Sequence, residues 1–482
     1  MIDQEPIDPE PMDLGLIGLD LAAASARIAA GELSPVELTE AYLARIAAVD
    51  PGIRAYVTLT AARARADARR AADELARGRH RGALHGIPIG LKDLVDTAGI
   101  RTTAGSILHT GRVPERDATV AARLRAAGTV LLGKHATHEF AWGGTTTNVH
   151  FGATHNPHRR GHIPGGSSGG SAASIAAGTS LGSIGTDTCG SVRIPAALSG
   201  CVGLKPTYGR VSLYGIEPLA PSLDHVGPLA RTVRDVTLLF RAILGADPAD
   251  PRTADAGTFG DEETGEDLSG LRVGVLGGWF TDVLDPAVAA AVGRAVGTLA
   301  DLGCEVREVV PPDFGPLVAE VFTIVHAEAV PHHAANFARA PELFGPELRY
   351  LLGRPVDAAA VAAARRRTAA AAAWLVGALA EVDVLVSATV PAPAPEIGPD
   401  HVVVGGVELH IERMLTRLTS VFDVAGLPAL SVPCGVSATG LPIGLQIVGR
   451  AYEEGRVLRV GAAYEVARGP VPPIPAERPL ST

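Results

Sequence analysis

Cysteine is scarce in this chain. Cys189, Cys201, Cys304 and Cys434 are the only four in 482 residues, and none forms a C-x-x-C pair. That excludes a disulfide framework and the usual thiolate metal sites. Basic runs are absent too, and with a formal net charge of −10 the chain is not expected to bind nucleic acid or an anionic membrane surface. No apolar stretch is long enough to span a bilayer. The longest, Ala369 to Ala380, follows Arg365-Arg366-Arg367 and predicts a buried helix. The opening Met1-Ile2-Asp3-Gln4-Glu5 lacks the basic and apolar regions of a secretory signal, so a cytoplasmic location is expected. Six of the 15 histidines (His135, His138, His150, His155, His158, His162) crowd into one stretch, but neither H-E-x-x-H nor a Cys/His ligand spacing occurs. No metal or other cofactor is expected. Internal repeats and low-complexity segments are missing as well.

What the chain has is the composition of a globular enzyme, 47% hydrophobic and 20% charged, with enough length for a large core. Residues 1–13 are acidic and contain proline, as a mobile arm would. Ser34-Pro35-Val36-Glu37 reads as a capping box opening a helix, with Leu38, Tyr42, Ile46 and Val49 at helical spacing and Asp50-Pro51-Gly52 as its stop. A second helix is expected from Ala61 to Gly78. Short apolar runs predict buried strands at Ile87–Leu91, Thr129–Leu132, Leu181–Ile184, Val273–Leu276, Val382–Val386 and Leu430–Val432. Helical stretches separate most of them, the pattern of an α/β sheet covered on both faces. Asp247 to Ser269 is expected to be a surface loop and not a linker, because strands and helices of the same kind resume at Leu271.

The chemistry concentrates in four segments. Gly86-Ile87-Pro88-Ile89-Gly90-Leu91-Lys92-Asp93 ends an apolar run on a lysine. Pro164-Gly165-Gly166-Ser167-Ser168-Gly169-Gly170-Ser171-Ala172-Ala173 and Gly185-Thr186-Asp187-Thr188-Cys189-Gly190-Ser191-Val192-Arg193-Ile194-Pro195-Ala196 each frame a serine with glycine, and Gly203-Leu204-Lys205-Pro206-Thr207 follows. A serine hydroxyl is a weak nucleophile and needs a base beside it. A lysine serves if burial lowers its pKa from about 10.4 towards neutrality. Together these segments resemble the amidase signature family, whose members hydrolyse amides with a Ser–Ser–Lys triad. The resemblance spans roughly Leu16 to Ala467 and is weakest over about residues 311–410.

The resemblance implies a single catalytic domain over residues 14–482, built around a large central mixed sheet, with residues 311–410 as a variable region facing the substrate. It implies Ser191 as nucleophile, Ser167 as a proton relay preceded by a cis peptide, and Lys92, neutral at rest, as general base. The run Thr188-Cys189-Gly190 offers backbone N–H groups to an oxyanion. Asp187 and Arg193 are expected to ion-pair and fix that loop, with Ser168 and Thr186 in similar support. Ala141, Trp142 and Gly143 fall in the segment that lines the acyl pocket of relatives. One departure stands out: the family has Gly-Gly before the nucleophile, and here it is Cys189-Gly190, with Cys189 read as a small buried hydrophobe.

Three other motif readings fail or weaken on the residues themselves. Gly165-x-Ser167-x-Gly169 fits a nucleophile elbow, but no strand precedes it. Gly128-x₄-Gly133-Lys134 resembles a phosphate loop, yet His135 replaces the Ser/Thr that would hold Mg²⁺. The glutaminase component of a tRNA-dependent amidotransferase holds the amino group of glutamine with an aspartate; counting back from Ala425-Gly426-Leu427-Pro428, Thr416 stands there instead. The expected activity is therefore cleavage of the C–N bond of a small carboxamide by protein alone, with carbamate or urea-type bonds and the glutaminase role as alternatives. A homodimer is left open.

Overall fold

The computed structural model describes residues 14–253, 259 and 267–469. The arm expected at 1–13, the middle of the loop at 247–269 and the end of the expected domain beyond 469 lie outside the described residues.

An eleven-stranded mixed sheet organises the molecule. Its strands are Tyr56–Leu59 (β1), Pro88–Lys92 (β2), Val130–His135 (β3), Gly182–Asp187 (β4), Val202–Lys205 (β5), His225–Ala230 (β6), Arg272–Leu276 (β7), Glu305–Val309 (β8), Val384–Ala388 (β9), Ala429–Val436 (β10) and Pro442–Val448 (β11). They lie in the order β1-β3-β2-β4-β6-β5-β10-β11-β9-β7-β8. Pairing is parallel for β3-β2-β4 and for β9-β7-β8, and antiparallel through the centre from β4 to β9. Every residue of β2, β3, β4, β6 and β9 is buried. Side chains alternate between faces along a strand, so complete burial means that helices cover both faces. One core cluster runs from Ile17 to Tyr464 and ties the sheet into a single domain.

Each expected strand is present within a few residues. The unexpected ones are β1, β5, β6, β8 and β11. β5, β6 and β11 carry glycine or proline inside them, as the expected β2, β4 and β7 also carry glycine, so these residues do not exclude a strand. β8 (Glu305-Val306-Arg307-Glu308-Val309) lies at the sheet edge with four of its five residues exposed, so it has charge where an apolar signal would be sought.

Ser34 does cap its helix: its Oγ accepts from Val36 N at 3.1 Å, and Glu37 accepts from Ser34 N at 3.1 Å. That helix continues through Pro51 to Ile53 and ends at Arg54, which has φ of +60°. The predicted stop is thus a turn too early, because its proline falls in the last turn, after the continuous run of apolar positions. The second helix runs Ala61–Ala76. The helix containing Ala369 to Ala380 spans Ala358–Glu381 and is not buried as expected. Only the stripe Ala364, Thr368, Ala371, Leu375 and Leu379 is covered. Alanine, with so little apolar surface, leaves the other side free to face solvent. Among the described residues no helix is long and apolar enough to cross a membrane.

Candidate active site

Parallel pairing of β2 with β4 (Leu91 opposite Ile184) brings the C-terminal ends of both strands to one place. Lys92 closes β2, while Thr186 and Asp187 close β4. Two loops rise beside these ends, and each leads into a short helix. Ser167 and Ser168 precede Gly169–Ala176, and Ser191 precedes Arg193–Ser199. Ligand sites in open α/β sheets form at such strand ends.

Lys92 is fully buried, with Nζ 2.7 Å from Ser167 Oγ and 2.8 Å from Thr186 Oγ1. Burial brings its pKa down to about 7, against the opposing pull of Asp187 and Asp224. The peptide before Ser167 is cis. Thr146 Oγ1 holds this turn, donating to Gly165 O at 2.9 Å and accepting from Gly169 N at 3.1 Å. Gly165 has φ of +84°, and a Cβ there would lie 2.8 Å from Pro195 Cα. His138 N donates to Ser167 O at 3.3 Å, and burial beside Lys92 lowers the His138 imidazole to about 4. Ser168 N donates to Ser191 O at 3.2 Å, and its Oγ donates to Thr186 O at 3.1 Å. The two serine loops are thereby fastened to each other and to β4.

The Ser191 loop stands on a buried charge network. Asp187 accepts from Gly190 N at 2.7 Å and Val192 N at 3.1 Å, and from Arg193 Nε at 3.0 Å and Nη2 at 2.9 Å. Arg193 spends its remaining donors on Thr419 O (3.0 Å), Gln446 Oε1 (2.7 Å) and Asp423 Oδ2 (2.6 Å). Burial pushes the Asp187 carboxyl upward, but the Arg193 guanidinium outweighs it and holds Asp187 well below the usual carboxylate range. Asp423 moves the other way, raised by burial and by Asp187.

The structure places most of the expected pocket residues together. Ala141, Trp142, Gly143, Thr188, Cys189 and Ser191 all line one cavity of about 380 Å³, its open mouth included. Gly190 is a correction. Its N–H is already given to Asp187, so it is not a free oxyanion donor. Its role is the turn itself, with φ of +124° and a would-be Cβ only 2.3 Å from Thr419 Oγ1. The N–H groups of Cys189 and Ser191 have no partner among the described residues. Cys189 is buried, and burial raises its thiol well above the usual range, which suits a small apolar filler.

Sequence reading does not find Phe322, Leu219, Glu412 or Asp224. Phe322 and Val325 come from the helix Leu317–Arg339, inside the region where the family resemblance is weakest, and they line the cavity. Asp224 fixes Thr188, accepting from its Oγ1 at 2.6 Å. None sits in a recognisable motif. The histidine-rich stretch disperses: His135 meets Ser183, His150 meets Glu139 and His158 meets the Ser199 carbonyl. Among the described residues no three His, Cys, Asp or Glu side chains are grouped to hold a metal. Lys134, the lysine of the apparent phosphate loop, is buried in β3 and donates to Thr102 Oγ1 and Val95 O.

Comparison with known proteins agrees with this architecture. The Amidase family model matches residues 37–458. The glutamyl-tRNA(Gln) amidotransferase A chain of Roseiflexus sp. (strain RS-1) is 42% identical over 93% of this chain and 96% of its own length. Among solved structures, the native peptide amidase of Stenotrophomonas maltophilia superposes with a TM-score of 0.80 at 34% identity, over 94% of this chain and 98% of its own. A chain from an unexpected vestigial protein complex, described as revealing the origins of an s-triazine catabolic enzyme, reaches 0.87 at 37% identity, covering 92% and 98%. With a matching family model over most of its length and relatives of this identity, the chain belongs to the amidase family.

Proposed function

We propose that the protein is a serine amidohydrolase that opens the C–N bond of a linear carboxamide through an acyl-enzyme on Ser191. The observation that carries this is the 2.7 Å contact between Lys92 Nζ and Ser167 Oγ at a fully buried lysine whose pKa is about 7. A neutral amine there accepts the Ser167 proton. Ser167 in turn takes the proton of Ser191 as Ser191 Oγ attacks the carbonyl carbon. The oxyanion of the tetrahedral intermediate faces the N–H groups of Cys189 and Ser191. Return of the proton through Ser167 to the nitrogen breaks the C–N bond and releases ammonia or an amine. Water then attacks the acyl-enzyme by the same relay in reverse, giving the carboxylic acid and free Ser191.

Ser191→Ala is expected to abolish turnover, and a fluorophosphonate adduct should appear on Ser191 by mass spectrometry. An adduct on Ser167 or Ser168, or retention of more than about a hundredth of the wild-type rate, would overturn the assignment.

The likeness to the glutamyl-tRNA(Gln) amidotransferase chain supports a second reading, glutaminase within a larger assembly. Against it, Thr416 lines the cavity where the resemblance puts an aspartate, and, although Glu412 lies one turn away on the same helix, among the described residues no lysine or arginine lines the cavity to receive the α-carboxylate of glutamine. Hydrolysis of simple amides by the purified chain alone separates the two. Carbamate and urea-type bonds suit the same relay, and a parallel screen of aryl carbamates ranks them.

A further inference from the structure

Among the described residues Glu412 is the one carboxylate lining the cavity that holds Ser191, and the walls around it are largely apolar, with Trp142, Phe322, Val325 and Leu219 among them. It sits on the first turn of the helix Ile411–Thr416, one turn before Thr416, whose Oγ1 donates to Glu412 O at 2.7 Å. Both carboxylate oxygens share a single donor, Gly144 N, at 2.9 and 2.8 Å. A carboxylate has about four acceptor positions, so most of its capacity is unspent. No cation pairs with it among the described residues, and the charged group that acts on it is another carboxylate, Glu347. Glu347 itself has His138 Nε2 at 4.0 Å, a ring held neutral by burial. Burial and Glu347 push Glu412 up to about 7. A carboxylate left without a cation in an apolar cavity is costly unless a ligand supplies one.

We propose that Glu412 is a specificity-determining residue that binds a protonated amine on the acyl chain of the substrate, so that the preferred substrates are primary carboxamides carrying an ammonium group. The inference rests on the amidohydrolase reading for its site. When ammonia is the leaving group, everything else that fills the cavity is acyl chain. Its ammonium donates to the free lone pairs of Glu412 while the methylene chain lies against Trp142 and Phe322. With no lysine or arginine on the described cavity wall, an added α-carboxylate has no partner and meets Glu412 instead, so a plain aminoalkyl amide is favoured over glutamine.

The test compares kcat/KM for 4-aminobutanamide and butanamide in wild type, Glu412→Gln and Glu347→Gln. Wild type is expected to favour the amine at least tenfold, and Glu412→Gln, which retains an acceptor for Gly144, should bring that ratio close to one. Glu347→Gln should reduce it less. A wild-type ratio near one, or an unchanged ratio in Glu412→Gln, overturns the proposal. Calorimetric binding of butylammonium gives a readout free of turnover: wild type binds it, and Glu412→Gln binds at least tenfold more weakly. Equal binding by both, or none by wild type, also overturns it. If neutral amides are hydrolysed without any amine preference, the inference alone fails. If butylammonium binds through Glu412 and no amide is hydrolysed, the hydrolase reading alone fails.

Discussion

Lys92 has no exposed surface and two hydroxyl partners, and that setting decides how the site responds to pH. Burial, the dominant influence, disfavours the ammonium form, so the folded-state pKa of about 7 lies well below the ordinary lysine value. In the proposed mechanism the neutral amine is the competent base and is populated above that value, so amide turnover should rise from pH 6 to 8 and level off beyond. A flat profile over pH 6 to 10, with chemistry shown to be rate-limiting, would contradict the role. Lys92→Ala should cost at least a few hundred-fold in amide hydrolysis, and less for esters, whose leaving groups need less protonation. Gly190 makes a second test at this scale. With φ of +124° and Thr419 Oγ1 in the way of a Cβ, Gly190→Ala should lose fluorophosphonate labelling of Ser191 while Lys92 and Ser167 remain intact. Labelling at the wild-type rate would mean that the turn tolerates a side chain.

At the scale of elements, the parallel ladder between β2 and β4 and the two loop-to-helix junctions explain which parts of the site are legible in the sequence. Lys92, Ser167 and Ser191 each sit at the end of a strand or the start of a helix, in glycine-rich segments whose residue types betray them. β2 stands out through Ile89 and Leu91, and β4 only through the Leu181 to Ile184 stretch at its start, whereas β6 (His225-Val226-Gly227-Pro228-Leu229-Ala230) is interrupted by Gly227-Pro228, although it is just as buried. The pocket wall is much less legible. Trp142 is found through the segment it occupies, but Phe322 and Glu412 lie on helices whose patterns report burial or solvation without saying which cavity they face. Gly190 is misread because the backbone donors of a turn look alike in a sequence, and only the fold shows that the Asp187 carboxylate takes one of them. The helix Leu317–Arg339 and the Trp142 segment both contribute to the cavity wall, so in the proposed function selectivity among apolar acyl groups falls to that pair of elements. Trp142→Ala should reduce the preference for benzamide over acetamide by about 10- to 200-fold, the range that apolar pocket contacts provide. Cys189→Gly should widen tolerance for isobutyramide. Unchanged kcat/KM ratios in both variants would mean that neither side chain shapes selectivity.

At the scale of the whole molecule, Arg193 joins parts of the chain that are far apart in sequence. Its guanidinium meets Asp187 at the end of β4, Thr419 and Asp423 around the short helix Ser420–Val424, and Gln446 in β11. The centre of the sheet and the Ser191 loop are thus closed by one planar group with all five of its donors spent. Removing it strands the Asp187 charge in the interior, which for buried pairs costs about 3–5 kcal/mol. Arg193→Ala should therefore lower the urea midpoint substantially, and Arg193→Lys should recover little, because a single ammonium cannot reproduce the two-sided fork. The pH dependence distinguishes this from simple loss of packing. In wild type the folded pKa of Asp187 is depressed, so its contribution to stability is present above the ordinary carboxylate value and lost as pH falls through that value towards the folded one. Without Arg193 the buried carboxyl is raised instead, and the folded variant takes up a proton that the unfolded chain does not hold. The deficit of Arg193→Ala should accordingly be largest near neutral pH and shrink as pH approaches about 4. Urea unfolding at pH 7.5, 6 and 4.5 measures it. A deficit independent of pH would mean that Arg193 stabilises the fold through packing alone, and a loss below about 1 kcal/mol at every pH, the size of an ordinary substitution, would remove it from its place at the centre of the sheet.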